Sequence, residues 1–143
     1  GLDNRLYRMP KFRTMFTDVP IVATHLLDDP DRYVTSVGKI LRLTSLDELP
    51  QLWSVFMGDM ALVGPRPALF NQKCLIQLRT ENGVHKLLPG ITGWAQVNGR
   101  DELTVEEKVF FDVEYLKRRS VLFDFSIILL TIKRVLKSEG VTH

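Results

Sequence analysis

The adjacent acids Asp47 and Glu48 are where side-chain types and spacing in this chain most directly offer chemistry. Two neighbouring carboxylates can divide labour. One attacks or takes a proton while the other holds a divalent cation such as Mg²⁺, whose preference for hard oxygen ligands suits substrate phosphates. The same residues also have a purely structural reading. Ser45-x-x-Glu48 has the spacing of a capping box, and both acids would sit favourably in the first turn of a helix. On spacing alone the cap is the stronger reading. Pro50 falls beyond the free N–H positions of a helix begun at Ser45, which predicts a kinked or locally exposed helix start.

Basic residues form a second constellation: Lys11 and Arg13 in Lys-Phe-Arg-Thr-Met, Arg42 just before the acidic pair, Arg66 between two prolines, and Arg100 after Asn-Gly. Arg66 is the most telling, because Pro65 and Pro67 restrict the backbone that presents its guanidinium fork to an anion. A lone arginine in a loop is ordinarily a surface residue. Several cations at loop positions, beside acids able to hold a metal, point instead to phosphate chemistry. His25, His85 and His143 lack metal-ligand spacing, and no Walker-type or dinucleotide-type glycine loop occurs.

The elements that must position these groups read as follows. Residues 6–15 have extended character, 37–43 a short helix, and 45–57 a further unit closed by Gly58-Asp59. Helical spacing runs through 68–79, and the Gly-rich stretch 89–100 reads as loop and short strand. A long helix over 102–119 carries Val105, Val109, Phe110, Val113 and Leu116 on its packing side, and a second helix covers about 124–137. Trp53 is expected in the core and Trp94 in a position to stack on a partner. In the last helix Phe125, Ile128, Leu129, Ile132, Val135 and Leu136 share one face, widened by Ile127 and Leu130. Either a core helix packed on several sides or a helix on a membrane surface fits, with basic residues nearby to meet anionic headgroups.

Composition sets the frame. The chain has 143 residues, 45% hydrophobic and 25% charged, which suits one domain with a real core and excludes disordered and low-complexity classes. Nineteen Lys and Arg against seventeen Asp and Glu leave +2, so no nucleic-acid partner is expected. No apolar run approaches the roughly 18–20 residues of a spanning helix. The single cysteine, Cys74, implies a reducing compartment and a buried small hydrophobe within a helix.

Four segments together carry a resemblance: Lys11-Phe-Arg-Thr-Met15, the run Leu41 to Gln51, the run Gly58 to Pro67, and the run Pro89 to Arg100. In this order they closely resemble the bacterial sugar transferases, the monotopic phosphoglycosyl transferases. The resemblance implies a membrane-bound enzyme at the cytoplasmic face of the bacterial inner membrane. It would move a sugar 1-phosphate from a UDP-sugar to a polyprenyl phosphate such as undecaprenyl phosphate, releasing UMP and starting a surface glycan. By motif match Asp47 would be the nucleophile, forming a covalent phosphosugar intermediate, and Glu48 the Mg²⁺ ligand. Arg66 would hold substrate phosphate, with Lys11, Arg13, Arg42 and Arg100 assisting. Ser54 and Ala61 stand where the family usually has Asn and Ser. The family also carries an apolar re-entrant helix upstream of the first motif. Residues 1–143 are therefore expected to be an N-terminally truncated, helix-rich α+β catalytic domain with a few short strands. The alternatives are a Mg²⁺-dependent diphosphate hydrolase using the same Asp47, and an inactive membrane-surface or partner-binding fragment.

Overall fold

A computed structural model describes residues 1–17, 30–99 and 102–137. Helices dominate: α1 (Ser36–Leu43), α2 (Gln51–Phe56), α3 (Lys73–Glu81), α4 (Val105–Arg118) and α5 (Val121–Lys137). Two short strands, β1 (Ala61–Val63) and β2 (Gly90–Thr92), pair in parallel with Ala61 opposite Gly90 and Val63 opposite Thr92. Parallel strands need a crossover, and α3 lies in it. The fold is α+β and rich in helix, as the sequence predicts.

The strand pair is close because it is built on glycine. A Cβ on Gly90 would sit 2.1 Å from the Gly64 nitrogen and 2.4 Å from the Thr92 oxygen. Around it packs a core of Val63, Leu87, Val97, Tyr115 and Ile127, with Trp94, Leu116, Phe123 and Ile128 against it. Each large apolar side chain fully buried here contributes about 1.5–3 kcal/mol. The Tyr115 hydroxyl lies 2.8 Å from Asp124 Oδ1 and 3.2 Å from the Val63 carbonyl, joining α4, α5 and β1.

The helices depart from their predicted limits for identifiable reasons. α4 begins at Val105, because Thr104 and Glu107 form a reciprocal capping box: the Thr104 hydroxyl accepts from Glu107 N at 3.2 Å, and Glu107 accepts from Thr104 N at 2.8 Å. Its inward stripe is Val109, Asp112 and Tyr115, while Phe110 is exposed. α5 begins at Val121, where Ser120 Oγ accepts from Phe123 N. It packs on one side only, through Ile127 with Phe123 and Ile128, and leaves Phe125, Leu129, Ile132 and Leu136 exposed, so it is not a core helix packed on several sides. No helix among the described residues is long and apolar enough to cross a membrane.

Two further expectations are corrected. Cys74 is exposed near the start of α3. Trp53 is 64% exposed and stacks on Phe56 with ring centroids 5.6 Å apart. α2 is inverted: its buried residues are the polar Gln51 and Ser54, while Leu52, Trp53 and Phe56 face outward.

Candidate active site

The acidic pair lies on a 3-10 turn, Leu46–Glu48, and not on the first turn of a capped helix. Ser45 adopts left-handed φ 56° and ψ 18°, and its side chain makes no capping bond. That conformation costs a non-glycine residue roughly 1–2 kcal/mol. It redirects the chain between α1 and the turn, so that Glu48 points inward and is only 8% exposed. α2 then starts immediately after Pro50, whose fixed φ suits a helix entrance.

The basic N-terminal segment is brought alongside by backbone bonding. Phe12 N donates to the Asp47 carbonyl at 3.0 Å, and Thr35 N donates to the Thr14 carbonyl at 3.0 Å. Lys11 Nζ then reaches Glu48 Oε1 at 2.7 Å. From the other side Arg66 Nη2 donates to the same oxygen at 3.1 Å. Burial alone would push the Glu48 carboxyl up, but the charges and hydrogen bonds of Arg66 and Lys11 together outweigh it and hold the group below its ordinary value.

Arg66 follows β1 through Gly64 and Pro65. Gly90 N donates to the Pro65 carbonyl at 2.9 Å. Arg79 of α3 donates to the Arg66 carbonyl at 2.8 Å, and to Asp112 Oδ2 through Nε at 2.8 Å and Nη2 at 2.6 Å. Burial pushes the Asp112 carboxyl up, with Arg79 and Lys108 pulling the other way. Neither Arg79 nor Asp112 is suggested by the motifs. The detectable signal was the charged pair on two otherwise inward helix stripes.

The remaining candidates divide. Asp47 is half-buried, and its carboxylate has no hydrogen-bond or ion-pair partner among the described residues. Arg42 does not join the Glu48 cluster. Its Nε donates to Thr14 Oγ1 at 2.9 Å, locking the Lys11-containing segment onto α1. Arg13 is exposed, with no partner among the described residues, and Arg100 lies outside them. Trp94 stacks within the protein: its ring lies 5.1 Å from that of Phe123, and its Nε1 donates to Glu114 at 2.7 Å.

Beside the cluster opens a recess of about 120 Å³, lined by Ser45, Glu48, Arg66, Thr92, Gln96 and Arg134 among others. Asp47 is not one of its lining residues. No group of three or more His, Cys, Asp or Glu gathers among the described residues. Mg²⁺ seldom needs such a cage, since one or two carboxylates plus substrate phosphates suffice. Glu48 fits that use: its two cations both engage Oε1, leaving Oε2 without a protein partner among the described residues.

The site thus sets a buried carboxylate bridged by two cations beside a second carboxylate with no partner among the described residues. Residues 1–138 match the family model described as bacterial sugar transferase. The chain belongs to the bacterial sugar transferase family. It is 44% identical over 143 residues to an uncharacterized sugar transferase, EpsL, of Bacillus subtilis, covering 99% of this chain and 68% of that protein. It is 42% identical over 151 residues to an undecaprenyl-phosphate glucose phosphotransferase of Komagataeibacter xylinus, covering 98% of this chain and 28% of that protein. It is likewise 42% identical over 141 residues to a UDP-glucose:undecaprenyl-phosphate glucose-1-phosphate transferase of Escherichia coli, covering 92% of this chain and 30% of that protein. The chain thus spans about two thirds of the first relative and under a third of the other two. Membership in this family places it among transferases.

Proposed function

We propose that this sugar transferase domain moves a sugar 1-phosphate from a UDP-sugar to a polyprenyl phosphate at the cytoplasmic face of the bacterial inner membrane, releasing UMP. The observation that carries the reading is the contrast between neighbours: Glu48 is clamped by Lys11 and Arg66, whereas the Asp47 carboxylate is half-buried and has no partner among the described residues. An unpaired carboxylate keeps its lone pairs for attack.

In the first displacement an Asp47 oxygen attacks the sugar-bearing phosphorus. The bond from that phosphorus to the bridging oxygen breaks, and UMP leaves with the electron pair. In the second, an oxygen of the acceptor phosphate attacks the same phosphorus and releases the Asp47 carboxylate. Arg66 and Lys11 offset charge on the nonbridging oxygens, which otherwise repel an incoming anion. Mg²⁺, held by Glu48 and the substrate phosphates, would supply further charge neutralisation there. Two sequential displacements through one covalent intermediate give ping-pong kinetics.

A lipid acceptor is supported by the inverted α2 and by the outer face of α5. Trp53 and Phe56 on one, and Phe125, Leu129, Ile132 and Leu136 on the other, expose apolar surface that a bilayer would cover. The test is UMP release and mass-spectrometric detection of a phosphosugar on Asp47, over a panel of UDP-sugars, with and without polyprenyl phosphate. Wild type should form the adduct and pass it to lipid; Asp47→Asn should do neither. Retained turnover in that variant sinks the nucleophile assignment, UMP release continuing beyond a single turnover without lipid product favours a hydrolase, and liposome flotation without any adduct favours a binding module.

A further inference from the structure

We infer that Arg134 of α5 binds the phosphate of the lipid acceptor and is the cation dedicated to the second displacement. The inference rests on the transfer reaction proposed above and adds a residue that neither the motifs nor the cationic cluster on Glu48 contains.

The position of Arg134 is unusual for the helix that carries it. α5 packs inward along Ile127, Thr131 and Arg134, spaced as one face of a helix. Ile127 is fully buried, and the Thr131 hydroxyl donates to its carbonyl at 2.8 Å. Thr131 Oγ1 also lies 2.7 Å from Thr92 Oγ1, which fastens this stripe to β2. One turn further on, where periodicity asks for another apolar residue, the stripe presents a guanidinium. Arg134 is half-buried, lines the same recess as Glu48 and Arg66, and makes no hydrogen bond or ion pair among the described residues. Its neighbour Lys133 is exposed. An arginine held on an inward stripe and paired with no carboxylate among the described residues is a site for an anion that arrives from outside.

The recess selects which anion. Leu43, Ile91, Val97 and Val135 contribute apolar wall beside the charged groups. An apolar wall beside charged groups suits a phosphate entering end-on with the start of a hydrocarbon chain. Leu43, part of that wall and 37% exposed, carries the apolar surface out to solvent. A phosphate monoester on a hydrocarbon matches both halves of this surface, and Arg134 would hold its phosphate beside Glu48 and Arg66.

The experiment separates the half-reactions, using the full chain in liposomes, the UDP-sugar that gives the most adduct in the panel above, and undecaprenyl phosphate as the acceptor. Without acceptor, Arg134→Ala should form the Asp47 adduct at a rate within about threefold of wild type. On adding undecaprenyl phosphate, adduct discharge should slow, or the acceptor KM rise, by about 10- to 100-fold, the scale of one charge-assisted hydrogen bond. Arg134→Lys should recover part of the loss, and Arg134→Gln repeats the test at similar side-chain length if the alanine variant folds poorly. Equal loss of adduct formation and discharge in these variants would place Arg134 on the donor side and overturn the inference, as would unchanged discharge. Both outcomes leave the transfer reading standing. A wild-type chain that forms neither adduct nor lipid product overturns the two together.

Discussion

Arg79 donates to the carbonyl oxygen of Arg66 at 2.8 Å, so the residue between the two prolines is held from behind by one guanidinium while its own reaches Glu48 in front. Prolines at 65 and 67 have no N–H to anchor the loop, so its carbonyls do that work: Pro65 accepts from Gly90 and Arg66 from Arg79. The side chain that touches Glu48 is therefore placed by the α3–α4 contact, far from it in sequence.

Breaking that support is expected to be expensive. Asp112 is 1% exposed and neutralises Arg79, so Asp112→Ala leaves a buried charge unpaired and should cost about 3–5 kcal/mol. Urea unfolding of wild type and variant measures it. Arg79→Lys keeps the charge but not the fork that serves Asp112 and Arg66 together, and should lower transfer more than it lowers stability. A loss below about 1 kcal/mol in Asp112→Ala, the scale of an exposed pair, would show that this ion pair is not the loop's support.

Glu48 predicts a pH dependence. Its carboxyl is held below the ordinary value of 4.5 by Arg66 and Lys11 despite burial. A depressed folded-state pKa contributes stability that is fully present above the unfolded value and is lost as pH falls through the folded one. Wild type should therefore exceed Glu48→Gln in stability at pH 6, and the gap should narrow as pH drops from about 4.5 downward. Denaturant midpoints across that range test it; a gap independent of pH would mean the ion pairs contribute little.

Much of this architecture was legible because local rules and tertiary packing agree. Val37 to Leu43 is helical, the Gly-rich stretch supplies β2, and the Asp47, Glu48, Lys11 and Arg66 motifs converge in space. The failures came where tertiary contacts outweighed local spacing. Ser45-x-x-Glu48 reads as a cap, but two cations from distant segments claim Glu48, and Ser45 turns left-handed. Trp53 reads as core by periodicity, which reports that a face is apolar without saying what covers it. Arg79 and Asp112, 33 positions apart, have no local signature of pairing.

Gly90 is predicted to be intolerant for reasons of space. An added methyl would lie 2.1 Å from Gly64 N and 2.4 Å from Thr92 O, both backbone atoms of the strand pair that leads into the Arg66 loop. Gly90→Ala must part β1 from β2 and should cost at least about 2 kcal/mol, toward the upper range of overpacking. Thermal unfolding checks the cost, and a variant with unchanged midpoint would show that the strands are not so closely apposed.

Trp53 offers a direct test of what covers the inverted face of α2. It is 64% exposed, so Trp53→Ala should cost no more than about 1 kcal/mol, near the scale of a surface substitution. Trp94, by contrast, is packed on Phe123 and bonded to Glu114, so the two tryptophans report different surroundings. In water Trp53 should emit at long wavelength and be quenched readily by iodide. If this face meets the bilayer, vesicles containing anionic lipid should shift its emission to the blue and protect it from iodide, because the indole exchanges water for headgroup and acyl carbon. The shift should persist in Trp94→Phe and vanish in Trp53→Ala. Emission unchanged at saturating lipid would remove α2 from the membrane contact and leave the outer face of α5 as the surface to test.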